Sequence, residues 1–188
     1  MSVAPLALGI GFVAGLRSLT APAAVSWAAC LGWLDLSGSP LRFLGSRWAV
    51  AIFTLLALLE YVADLLPRTP NRTTPGPLIT RTVLGGLSGA ALSVSRGESL
   101  LLGAVLGGIG AVLGAFGGYE ARKRLVRGLN VSDAMIAIPE DLVAIALAYM
   151  LVSYNGLATS IPVERRMAAT YSGRVVREIS TTPPESGA

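Results

Sequence analysis

Five long apolar stretches, separated by short polar punctuation, organise the chain from its N-terminus to about residue 157. The first runs from about Ala4 to Leu34 and the second from about Arg47 to Leu66, where Pro67 stops it. The third covers about Leu78 to Val94, the fourth about Ser99 to Gly118 and the fifth about Val131 to Tyr154. Each run is continuous rather than alternating, so the pattern predicts α-helices and excludes a transmembrane barrel, whose strands alternate polar and apolar residues. Runs near twenty apolar residues that recur along the chain predict an all-α polytopic membrane protein. The polar stretches between them are a Pro/Arg/Thr-rich loop, Pro67 to Pro77, and a basic connector, Arg122 to Arg127. Residues 1–157 form the expected transmembrane domain, and 158–188 a polar, partly disordered tail.

The first stretch is too long for one simple span. Its thirty-odd residues would reach about 46 Å as a helix, against a hydrocarbon core of about 30 Å. It also holds a break signal at Gly15-Leu-Arg-Ser-Leu-Thr-Ala-Pro22, because proline lacks a backbone donor and disfavours helix just before it. A broken helix, a re-entrant pair of half-helices and one tilted, kinked helix all fit this pattern.

Composition agrees with the periodicity. Apolar residues make up 53% of the chain and charged ones only 14%, whereas a soluble domain carries about 25% charged residues. The mean hydropathy is +0.64. No basic n-region precedes the first stretch, which is longer than a signal-peptide core, so a cleaved signal is not expected. The single cysteine, Cys30, cannot support a disulfide framework, and histidine is absent. The net charge of +4 reads as orientation signal and lipid attraction rather than nucleic-acid binding. Arginines 68, 72 and 81 and the basic connector would then lie on the cytoplasmic side, although Arg165 and Arg166 in the tail argue the reverse. Trp27, Trp33 and Trp48 fall near segment ends, as an interfacial belt requires.

Against this apolar background a few positions stand out. Gly103, Gly107, Gly110, Gly114 and Gly117 recur at spacings of 4-3-4-3 and make one glycine face along the fourth segment. Thr82, Gly86, Gly89 and Ser93 repeat the device in the third. Such stripes let backbones approach closely in lipid, so they predict tight helix packing within the chain or between subunits of a homo-oligomer. Gly11 to Gly15 also rhymes with Gly110 to Gly114, a weak internal repeat of the kind seen in carriers.

Arg17 lies in the middle of the first stretch, where a charge in lipid costs at least roughly 2.5–3.5 kcal/mol. Glu60 and Asp64 share a helix face, four residues apart, and Glu140 and Asp141 follow Pro139 in the fifth segment. If that helix starts at Pro139, the pair caps its first turn at the interface. If it starts at Ser132-Asp133, both acids lie about 12 Å deeper. Four carboxylates exceed what one locking pair with Arg17 needs. They suit a cation or proton site, with Arg17 as counter-ion or as anchor for an anion and with Ser18 and Thr20 supplying oxygens. No cofactor is implied, and the residues specify no metal.

The stretch Gly15 to Ala24, the pattern Glu60-x-x-x-Asp64-x-x-Pro67-x-x-Pro70-x-Arg72, Arg81 and the Glu140-Asp141 pair together resemble a bacterial membrane family catalogued as domain of unknown function 4126. The resemblance covers about residues 5 to 155. It implies a small multi-pass protein of the bacterial inner membrane and no particular activity. Asp64 is followed by Leu65 where the family leads one to expect a lysine, so one internal cation is missing.

Two functions compete. One is a secondary transporter or channel-like carrier for a cation or small charged solute, oligomeric in the bilayer. The other is a non-catalytic scaffold whose charges lock the bundle. An enzyme acting on lipid headgroups is disfavoured, because neither an Asp-rich transferase pattern nor a phosphate-binding glycine loop is present.

Overall fold

A computed structural model describes residues 2–64, 74–129 and 138–157. Among them every regular element is helical. Helix α1 is Ala4–Leu16 and α2 is Thr20–Cys30. A short 3-10 helix, Pro40–Gly45, precedes α3, Arg47–Asp64. Then come α4, Pro75–Val94, and α5, Leu100–Leu129. The described part of α6 covers 138–157. The tail expected beyond residue 157, and the Ser132-Asp133 cap, lie outside the described residues.

The first apolar stretch is two half-helices that fold back on each other. Gly9 of α1 approaches Leu151 of α6, whereas Arg17 meets Asp141, so α1 runs antiparallel to α6. Trp33, just past α2, lies against Gly156 and Tyr149, so α2 runs parallel to it. The chain therefore reverses at residues 17–19. The arms of 13 and 11 residues are about 20 and 16 Å long. Pro22 is not where the helix breaks. It occupies the first turn of α2, where its missing N–H costs nothing. The break falls within the expected Gly15–Pro22 stretch, at Arg17, whose backbone is extended (φ −138°, ψ 110°).

The expected basic connector is also revised: α5 continues as helix through Arg122 to Leu129. Glu120 and Arg124, one turn apart and 2.9 Å from each other, support the continuation. At the other end, in the loop after α2, the Ser37 hydroxyl and amide donate to Asp35 at 2.6 and 3.0 Å. These bonds hold its carboxyl below the ordinary carboxylate range.

Helices α1, α4 and α5 meet backbone to backbone. A Cβ on Gly11 would overlap the Gly107 carbonyl, and one on Gly107 the Gly85 carbonyl. Gly103 is closed in by Gly89 and Ser93, and Gly110 and Gly114 by Leu8 and Phe12. Four of the five stripe glycines are thus consumed by contacts within the chain. Gly117 has only the Phe12 ring, at 3.9 Å. The rhyming segments of α1 and α5 are the two surfaces that pack together.

Outward faces are apolar. Leu101, Val105, Ile109, Leu113 and Phe116 form an exposed stripe on α5, and Ile52, Leu55, Leu59 and Val62 one on α3. The stretch Leu100–Gly128 is long and apolar enough to cross a membrane by length and composition, and α1 is a shorter apolar helix.

Candidate functional site

The reversal between α1 and α2 leaves helix-end groups that intrahelical bonds cannot satisfy. Side chains from two other helices answer them. At the end of α1, the Gly15 and Leu16 carbonyls each accept a bond from Arg81 Nη1 of α4 at 3.0 Å. On the way into α2, the amides of Ser18 and Leu19 donate to the two carboxylate oxygens of Glu60, each at 2.9 Å. The Ser18 hydroxyl donates to the same carboxylate at 2.6 Å. A cation thus caps the negative end of one half-helix and an anion the positive end of the other, the sense the helix dipoles favour. Arg81 Nη2 lies 3.8 Å from Glu60 Oε1, so the two caps also form an ion pair across the turn.

Arg17 occupies the centre of this tip and is fully buried. Its guanidinium pairs with Asp141 of α6. It also lies 5.6 Å from the centroid of the Tyr61 ring, within cation–π range. The Tyr61 hydroxyl shares a 2.7 Å hydrogen bond with Thr20. One constellation therefore gathers Arg17, Ser18, Thr20, Glu60 and Asp141 from the residues singled out by sequence. Glu140 points elsewhere, to Arg122 of α5 at 3.4 Å. Asp64 is the last residue of α3, and its side chain lies outside the described residues. Among the described residues no group of three carboxylates or thiols has the spacing of a metal site.

Two members of the constellation are not among the site residues that the sequence suggests. Arg81 was counted with the loop cations that orient the chain, yet it is only 6% exposed. Its signal was the one that exposed Arg17, a lone cation inside an apolar helical stretch. Tyr61 carried no signal, since an aromatic residue in a hydrophobic helix is ordinary.

Counting residues along each helix fixes the depth of the tip. Thirteen positions separate Arg47 from Glu60 on α3, and thirteen separate Arg81 from Val94 on α4, about 20 Å in each case. The charges thus lie about 20 Å from the end that carries Trp33 and Trp48, and within two turns of the opposite ends of α3 and α4. Near the Trp end, Asn155 donates to Ser95 at 2.8 Å and ties α6 to α4.

No curated protein and no solved structure matches the chain. A family model described as domain of unknown function (DUF4126) matches residues 4–163, which takes in every described helix. The chain belongs to the DUF4126 family.

Proposed function

We propose that this is a multi-pass protein of a bacterial inner membrane, and that it carries a small charged solute through the hairpin tip. The observation that carries the proposal is the inverted distribution of polarity. Arg17 and Arg81 are buried while leucines, isoleucines and valines cover the outer faces of α3 and α5, an arrangement stable where the surroundings are hydrocarbon. Within that setting, two half-helices whose ends meet paired, protein-enclosed charges share the discontinuous-helix device of carrier binding sites. Charges held by exchangeable ion pairs can release one another to a solute, which a purely apolar core cannot do.

The test is saturable uptake of labelled small cations, carboxylates and phosphates into proteoliposomes. Glu60→Gln and Arg17→Lys, which keep the size of each group, are expected to abolish uptake while the protein stays monodisperse. Full uptake by both variants contradicts the proposal.

One observation favours scaffolding instead: Arg17 pairs with Asp141 and Arg81 with Glu60 at the tip, as in a static lock. The lock predicts that exchanging the partners, Arg17→Asp with Asp141→Arg, restores full stability and function. A carrier whose tip must receive a solute regains stability at most.

A further inference from the structure

Resting on the bilayer setting proposed above and not on transport, we infer that the outer face of α5, with the groove it forms against α4, seats one anionic phospholipid. Its phosphate lies on Lys123 and Arg127, and one acyl chain lies in the groove. The exposed stripe of α5 does not end at Phe116. Continued in steps of three and four, the same face carries Tyr119, Lys123 and Arg127. It thus passes from hydrocarbon through aromatic to cationic side chains. The Lys123 ammonium lies 5.9 Å from the centroid of the Tyr119 ring, one turn back toward the apolar stripe. Beside this face Arg124 adds a third cation, its Nε donating to Glu120 at 2.9 Å.

The levels along α5 match those of a lipid monolayer. From Leu100 to Tyr119 the helix rises about 28 Å over nineteen residues, close to the hydrocarbon thickness of about 30 Å. Lys123 stands about 6 Å beyond Tyr119, inside a headgroup layer of about 5–8 Å on each side. Arg127 lies one turn further out, but helical side chains lean toward the N-terminus, which here is toward the bilayer. Each cation at that level favours an anionic headgroup by about fivefold.

Below Tyr119 the groove receives the tail. It measures about 810 Å³, and the small residues Gly86, Ala90, Ala104 and Gly108 line it together with Ile109 and Leu113 of the stripe. Among the described residues lining it, Thr82 carries the one polar side chain, whose hydroxyl already donates to the Leu78 carbonyl at 2.8 Å. Hydrocarbon therefore leaves no polar group stranded there. Ten residues separate Ile109 from Tyr119, about 15 Å, half the hydrocarbon thickness and so the reach of one tail. A second copy of the chain is the poorer occupant. Two α5 helices meeting here across a twofold axis normal to the bilayer would set Lys123 and Arg127 against their counterparts, like charge on like.

The test reconstitutes the full chain with equal amounts of phosphatidylglycerol and phosphatidylcholine, releases it into detergent and counts retained lipid per chain by native mass spectrometry. The wild type is expected to keep one phosphatidylglycerol, preferred about 25-fold over phosphatidylcholine, with Lys123→Gln and Arg127→Gln each lowering the preference about fivefold and together abolishing it. Gly108→Leu fills the groove and should lose lipid of either headgroup while the cations remain. A Cβ at Gly108 meets only Thr82, at 3.5 and 3.8 Å, so the fold should tolerate it. If that variant is not monodisperse, Val105→Trp narrows the same groove from its exposed rim. Equal retention of both lipids by the wild type overturns the inference, as does unchanged phosphatidylglycerol in the double-Gln or groove variant. A lipid-free dimer abolished by Gly108→Leu gives the groove to a second copy and also overturns it. If the chain resists alkaline carbonate extraction from vesicles yet retains no phosphatidylglycerol, the inference alone fails. Release by carbonate removes the membrane setting as well.

Discussion

The two sides of the bundle are joined by different kinds of atom. Across α1, α4 and α5 the contact is backbone on backbone, through Gly11, Gly15, Gly85, Gly89 and Gly107. Across α2, α3 and α6 it is made by side chains: the Glu60 cap, the Tyr61–Thr20 bond, the Arg17–Asp141 pair and a cleft. Glycine contacts have no rotamers to change and hold one arrangement only. Side-chain caps and ion pairs can exchange partners, so the second side is the one the proposed carrier would use. The hairpin belongs to both: α1 is fixed to the glycine side, and α2 closes the cleft.

Substitutions should separate the two sides by size of effect, read as thermal unfolding in detergent. Gly107→Val comes first. Its new side chain meets the Gly85 and Gly89 backbone of α4, which cannot swing aside. The loss should exceed the roughly 1–3 kcal/mol of ordinary overpacking, and no monodisperse protein is expected. Arg17→Ala follows: it strands Asp141 and should cost about 3–5 kcal/mol, with recovery when Arg17→Leu is combined with Asp141→Leu. Ser18→Ala removes one charged hydrogen bond from Glu60 and should cost about 1.5–3 kcal/mol. Gly117→Ala is the smallest. With only the Phe12 ring at 3.9 Å, the new methyl should be neutral or add about 0.5–1 kcal/mol by favouring helix. Equal losses at Gly107 and Gly117 would erase the distinction between sealed and open glycine positions.

The glycine side was legible in the sequence because its signal is a spacing. Small residues three and four apart define a helix face before any partner is known, and Gly103 to Gly114 lie on the face that packs. The tip was legible only in part. Sequence located Arg17, Glu60 and Asp141 but not who meets whom, since partner choice depends on how helices far apart in the chain are arranged. Glu140 and Asp141 show the difficulty. Successive helical residues point about 100° apart, so one acid reaches Arg17 and its neighbour reaches Arg122 on another helix. Arg81 is ambiguous because a cation near a helix end serves equally as a topogenic charge or as a cap, and its bonds to the end of α1 show the cap. Pro22 shows the same ambiguity from the backbone side: proline disfavours helix before it and suits a first turn, and here α2 begins two residues upstream.

All of this requires that the tip be enclosed by protein at a depth where the surroundings are lipid. Leu59, on the outer face of α3 and 53% exposed, is the chain neighbour of Glu60 and reports that depth. A nitroxide at Leu59→Cys, in a Cys30→Ser background reconstituted into vesicles, should collide freely with dissolved oxygen and be shielded from a water-soluble nickel chelate. Free access of the chelate would put the outer face of α3 in water at the level of the Arg17 layer, and would contradict the account.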